Sequence, residues 1–265
     1  MKTALAIVAH PDDIEFRIAG TLLMLKQKGW EIHCFNIANG SLGSIQYTAA
    51  QTRRIRRKEA QHAAQIMGAF WHPPLVDDLE IFYDMKLIRR VAAVIREVRP
   101  AVIFTHPPID YMEDHTNACR IAVTAAFVKS APNFVTVPRR PHFDDPTVIY
   151  HCIPHGLSDT LRRPMLPDAF VNIAPVLETK SRALAAHQSQ INWLEATQGI
   201  GAMDRAMRDE ARKLGRLSGR YEYAEGWWRH LHLGFCPADA DPLRDALGTD
   251  YFDKTAGHNP TTKTN

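Results

Sequence analysis

Apolar and polar positions follow two rhythms along this chain. TALAIVAH, Thr3 to His10, is a short apolar run of the kind that forms a buried strand. It gives way to a stretch with Ile14, Ile18, Leu22 and Leu25 at helical spacing, acids at its start and Gly29 as its stop, which predicts one helix. EIHCFNIA predicts a second strand, closed by the loop NGSLGS. RRIRRKEAQHAAQIMGA predicts a helix with Gly68 near its end, and MKLIRRVAAVIREVRP another that Pro100 terminates. AVIFTH predicts a third buried strand, and DHTNACRIAVTAAFVKSA a helix behind it. TVIYHCI and AFVNIA predict later strands, and VLETKSRALAAHQSQINWL one long helix. Residues 131–167, with many Pro and Arg, read as loops around a single strand.

Strands alternating with helices imply an α/β fold: a doubly wound, mostly parallel, Rossmann-like sheet with helices on both faces. No internal repeat is visible. A single domain over residues 1–256 is expected, followed by a polar, flexible tail at 257–265.

Composition excludes more than it selects. In 265 residues, 45% hydrophobic and 23% charged is ordinary for a soluble globular protein. A net charge of +3 without a long Lys/Arg run gives no nucleic-acid footprint. No apolar stretch is long enough for a signal peptide or a membrane span, so no membrane association is expected. The four Cys form no CxxC pair and read as reduced thiols in a cytoplasmic protein.

In a doubly wound sheet, ligands sit at the carboxyl ends of strands. Two such ends carry the richest chemistry: AHPDD after the first strand and THPPIDYMEDH after the third. His10 and Asp13 leave the strand three residues apart, so an imidazole and a carboxylate can converge. A catalytic zinc takes three protein ligands and keeps one open position, and His115 is the natural third. Asp12 lies between the two ligands and is the carboxylate closest at hand to act as general base. The plainer alternative is that Asp12 or Asp13 only caps the helix.

Several short motifs, in order, make the chain resemble the LmbE-like or PIG-L-like zinc-dependent N-deacetylases. They are Ala9-His10-Pro11-Asp12-Asp13 with Glu15, then Ala19-Gly20-Thr21, Asn39-Gly40 with Gly43-Ser44, and Arg56 with Glu59-Ala60. They continue with Asp114-His115, His187 with Ser189-Gln190, and Tyr223-Ala224-Glu225-Gly226, so that the resemblance spans about residues 3–235. It implies one Zn²⁺ per chain, or another divalent metal, held by His10, Asp13 and His115, with Asp12 as base. It also implies hydrolysis of an N-acyl group, usually acetyl, on a small N-acylated sugar or conjugate, in a protein expected to be a homo-oligomer.

One position departs from the pattern. Where many members carry a His three residues before the last ligand, this chain has Met112, whose thioether cannot donate to an oxyanion. His106, nine residues before His115, is the candidate replacement. Its alternative is a strand-end His that only hydrogen-bonds the turn at Asp110.

Other residues have paired readings. Arg56 is either a substrate-binding residue or part of a solvated RRIRR face. Asp114 either orients an imidazole or caps the helix. His187 either closes the site or makes a structural hydrogen bond. His151 and His155 are pocket-lining candidates, Trp227 and Trp228 a sugar-stacking wall or core, and Cys119 core. Two alternatives to an enzyme remain. A dinucleotide-binding module would need GxGxxG after the first strand, which HPDDIE lacks. A metal-binding relative that lost turnover at Met112 would be told apart by metal and acetate-release assays.

Overall fold

The computed structural model describes residues 1–198 and 203–255. Its strands are β1 (Thr3–Val8), β2 (Glu31–Asn36), β3 (Phe70–His72), β4 (Val102–Thr105), β5 (Val148–Cys152), β6 (Ala169–Asn172), β7 (Ala224–Arg229) and β8 (Tyr251–Asp253). The helices are α1 (Asp13–Arg17), α2 (Ala19–Gln27), α3 (Ala49–Met67), α4 (Met85–Val98), α5 (Glu113–Phe127), α6 (Leu177–Ala185), α7 (Gln188–Gln198), α8 (Met203–Ser218) and α9 (Pro242–Leu247). All eight strands join one sheet in the order β3-β2-β1-β4-β5-β7-β6-β8. From β3 to β5 the pairs are parallel, whereas β7, β6 and β8 add antiparallel.

The fold is therefore the expected mixed α/β sheet, with an antiparallel extension on one side. Period-2 alternation splits β1 between two cores. Ala4, Ala6 and Val8 pack into the cluster that includes Leu22 and Leu25 of α2 and Leu184 of α6. Leu5 and Ile7 pack into the cluster on the opposite face, with Val91 of α4 and Ile121 of α5. Helices thus cover both faces, and a strand buried on both sides reads as a continuous apolar run. Among the described residues, no helix is long and apolar enough to cross a membrane.

Two of the expected helices are broken. The first divides at Ile18, whose φ of −125° leaves the helical region. The cause is a carboxylate some 200 residues away in sequence. Glu225 of β7 accepts the Gly20 and Thr21 N–H groups at 2.8 and 2.7 Å and the Thr21 hydroxyl at 2.6 Å. These are unpaired donors of the first turn of α2, so the chain restarts a helix there. Lys180 pairs with the same carboxylate in full burial, and Trp227 Nε1 donates to Thr21 Oγ1 at 3.1 Å.

The long helix from Leu177 divides at Ala186 and His187. Glu59 of α3 accepts the Ser189 N–H at 2.8 Å and its hydroxyl at 2.6 Å, which caps the start of α7. Trp227 is fully buried, and Trp228 Nε1 donates to the Leu166 carbonyl at 2.9 Å, so this aromatic pair is structural and not a wall of the cleft. The expected polar tail at 257–265 lies outside the described residues.

Candidate metal centre and active site

The carboxyl ends of β1 and β4 lie side by side, because these two strands are neighbours in the sheet. The loop after β1 delivers His10, Asp12 and Asp13, and the loop after β4 delivers His106, Asp110 and, at the start of α5, His115. His10, Asp13 and His115 each offer one ligand atom, and these atoms lie within 4.8 Å of one another.

The hydrogen bonds decide which nitrogens face inward. His10 Nε2 lies 2.9 Å from Asp114 Oδ2, so its Nδ1 is the free one, 3.7 Å from Asp13 Oδ2. His115 Nδ1 lies 3.0 Å from Asp110 Oδ1, which leaves Nε2 free, 3.5 Å from Asp13 Oδ1. Each imidazole therefore has a carboxylate behind it and an unprotonated nitrogen in front, as metal-ligating histidines have. The His10 N–H donates to Asp13 Oδ2 at 2.7 Å, and Asn36 Nδ2 donates to the His10 carbonyl at 2.5 Å. Burial alone would raise Asp13, yet His115 and His106 outweigh it and hold this carboxyl far below the ordinary range. Two imidazoles and one ionised carboxylate, with no fourth side chain among the set, are a donor set suited to a divalent ion with an open position.

Asp12 stands apart from that set. Its φ of 100° is a left-handed conformation, in which Asp is among the better tolerated residues. It makes no side-chain cap to α1, so the helix-cap alternative does not hold for it. Burial raises its pKa to about 6; Arg56 pulls against that rise and Asp13 adds to it. The guanidinium of Arg56 lies 3.8 Å from Asp12 Oδ2 and donates to the Pro11 carbonyl and to Gln190 Oε1. Arg56 is only 2% exposed while Arg53, Arg54 and Arg57 are exposed, so one Arg of RRIRR turns inward and the rest form the solvated face.

Three expected residues take positions of their own. Asp114 does not cap α5, whose N-cap is Met112. It orients His10, across the loop, and not its neighbour His115. His187 is fully buried in the break between α6 and α7, 3.2 Å from Glu15 Oε2, which raises its pKa against the effect of burial. His106 accepts the Ala9 N–H on Nε2 at 3.0 Å, lies 3.3 Å from Asp13 Oδ2 and stacks on His115 with ring centroids 4.0 Å apart. A nitrogen that accepts a backbone N–H has no proton to donate, so Nε2 does not supply the oxyanion donor expected of His106.

The partnership of Asp110 with His115 spans five residues of one loop, and that spacing is its signal in the sequence. His151 is buried, close to the His106 carbonyl (2.8 Å) and His230 (2.9 Å), and lies outside the cleft, whereas His155 lines it. Cys119 is buried beside His151, as a core residue. The cleft has a volume of about 540 Å³ and is lined by the candidate ligands His10, Asp13 and His115 together with Asp12, Arg56 and Gln190.

Residues 5–127 match the family described as "PIG-L: GlcNAc-PI de-N-acetylase", and deacetylases stand among the relatives and structural neighbours that the chain resembles. Over 247 residues it is 26% identical to a diacetylchitobiose deacetylase of Thermococcus kodakarensis, covering 89% of this chain and 87% of the relative. Over 234 residues it is 28% identical to a 4-oxalmesaconate hydratase of Pseudomonas putida, covering 85% and 88%. Its fold superposes on an N,N'-diacetylchitobiose deacetylase of Pyrococcus horikoshii with a TM-score of 0.70, at 22% identity, covering 91% and 88% of the two chains.

Proposed function

We propose that this chain is a metal-dependent amidohydrolase that removes an N-acyl group, acetyl in the simplest case, from a small amino-sugar-containing molecule. The observation that carries the reading is Asp12: a buried carboxylate, raised to about 6, set beside a two-imidazole, one-carboxylate cluster without belonging to it. His10, Asp13 and His115 would hold one divalent ion, zinc by family resemblance, which when bound polarises an acyl carbonyl and acidifies water. Asp12 takes the proton of the attacking water and returns it to the departing amine, and its raised pKa suits both transfers near neutral pH. Arg56 and Gln190 bind the polar part of the substrate. Asp110 and Asp114 fix the two imidazole tautomers, and His106 supports Asp13 and His115 from beneath.

The hydratase relative makes hydration of a carboxylate-bearing alkene the competing reaction. The cleft favours the amide. The charges of its two arginines are compensated, Arg17 by Glu210 and Arg56 by Asp12, so Arg56 can hydrogen-bond a neutral polar group but neither is an uncompensated cation for a polycarboxylate. The free cysteines fit the cytoplasmic location this reading carries, and exposed apolar side chains such as Leu231 and Leu233 leave surface for a second copy in the expected homo-oligomer.

The test is acetate release from N-acetylated glucosaminides, with and without chelator, in wild type and Asp12→Asn. The variant should keep its metal and lose kcat by about a hundredfold or more. Loss of the metal together with the activity would move Asp12 into the ligand set. Hydration of an unsaturated carboxylate without any acetate release would replace the reading.

A further inference from the structure

The cleft lining is mixed: beside His10, Asp13, His115, Asp12, Arg56 and Gln190 it includes the large apolar side chains of Phe16, Leu42, Leu79, Tyr111, Met112 and Trp193. Aromatic contacts run from the cluster toward the mouth: Tyr111 meets His115 edge-on at 5.4 Å, and Phe16 meets His155 edge-on at 5.3 Å. Leu42, Leu79 and Tyr111 are 54%, 57% and 60% exposed although they face a cleft.

Leu79 is the most telling of these. Its φ of 62° is left-handed, where a Leu is strained and a Gly or Asn is at ease. Its N–H is pinned by Asp114 Oδ2 at 2.7 Å, the same oxygen that orients His10. Leu42 is pinned likewise, its N–H donating to Asp78 Oδ2 at 3.0 Å. Two large apolar side chains thus stand exposed beside the candidate site on backbone that is hydrogen-bonded in place, one of them at a conformational cost. Exposed apolar surface of this kind at a groove marks what the groove binds.

We infer that the substrate carries an apolar substituent, an aryl or alkyl group, close to the scissile amide, and that Leu42, Leu79 and Tyr111 receive it. This rests on the amidohydrolase reading for the nature of the reacting group, but the apolar lining is independent of it. Met112 lines the same cleft, where its thioether extends the apolar surface. The substituent is either an aglycone or a longer acyl chain. The chemistry recognised is the same, and the test tells them apart.

The experiment is calorimetric binding to metal-loaded Asp12→Asn, which removes turnover. Three probes are compared: N-acetylglucosamine, phenyl N-acetylglucosaminide and N-octanoylglucosamine. At least one apolar probe should bind ten times more tightly than N-acetylglucosamine, with a more negative heat-capacity change. Tightening by phenyl alone places the substituent at the aglycone, and by octanoyl alone at the acyl group. Leu79→Asn, which suits the left-handed backbone, should weaken the apolar probe about fivefold or more and leave N-acetylglucosamine within twofold. Leu42→Ser, at a second exposed site, should do the same. Equal affinity for all three probes, no binding by any, or an equal loss for all three in both variants would overturn the inference. A wild type that binds the apolar probes selectively but releases no acid from any of them refutes the amidohydrolase reading and leaves the apolar site standing.

Discussion

His10 and Asp114 are joined across 104 positions of sequence by a 2.9 Å contact from Nε2 to Oδ2. The carboxylate beside one expected ligand, His115, serves the other. It also accepts the Leu79 N–H, so one side chain ties His10, the proposed ligand, to the rim of the cleft. Removing it frees the His10 ring to rotate and to take the wrong tautomer. Asp114→Ala should therefore weaken metal binding by roughly 10–100-fold with little effect on thermal unfolding of the metal-free protein. Competition with a chromogenic chelator measures this; unchanged affinity would show that Asp114 only holds the loop.

His106 separates two roles by two readouts. Its ring lies 4.0 Å from His115 and its Nε2 is occupied by the Ala9 N–H. If it supports the ligands from beneath, His106→Ala should lower metal affinity by about tenfold, with much of the lost activity recovered at saturating metal. An oxyanion donor would instead cost about 10²–10³ in kcat at unchanged metal affinity.

The parallel half of the sheet and the convergence of His10 with Asp13 were legible because both are local. A strand buried on two faces is an unbroken apolar run, and its chemistry follows immediately at its end, as in ALAIVAHPDD. What could not be read is set by distant partners. The break at Ile18 exists because Glu225 reaches Gly20 and Thr21, and the break at His187 because Glu59 reaches Ser189. Strand β3, three residues long, is too short to show a period. β7 shows no legible strand pattern, since Trp227 and Trp228 face opposite ways and Glu225 is buried there by its four donor groups. The tautomers of His10 and His115 follow from Asp114 and Asp110, and no spacing rule reveals which carboxylate serves which ring.

The Glu225 anchorage makes Gly20 a packing requirement. A Cβ there would lie 2.6 Å from Ile173 Cγ2 and 2.7 Å from Glu225 Oε1, both inside the core. Accommodating it means displacing the carboxylate that caps α2 and pairs with Lys180. Gly20→Ala should destabilise the protein by about 1–3 kcal/mol, although Ala is the better helix former. Urea denaturation checks this, and a neutral or stabilising result would mean that the Glu225 network yields readily.

The last prediction concerns acid stability, away from the metal cluster. Glu210 of α8 pairs with Arg17 of α1, accepts the Gly156 N–H at 3.1 Å and lies 3.1 Å from His155 Nδ1. Burial opposes its ionisation, but Arg17 and then His155 outweigh burial and lower its pKa from 4.5 to about 2. A carboxylate whose folded pKa is depressed binds fewer protons folded than unfolded, so its contribution to stability is full above the unfolded value. It fades as pH falls from about 4.5 and is gone below about 2. At 1.36 kcal/mol per unit, the contribution at pH 7 is on the order of 3 kcal/mol. Glu210→Gln removes the charge and keeps the shape. The stability difference from wild type should be largest at pH 6–7 and narrow steadily between pH 4.5 and 2.5, as read from urea unfolding at fixed ionic strength. A difference that stays constant over that range would show that Glu210 acts through packing and its Gly156 hydrogen bond, with no net contribution from its charge.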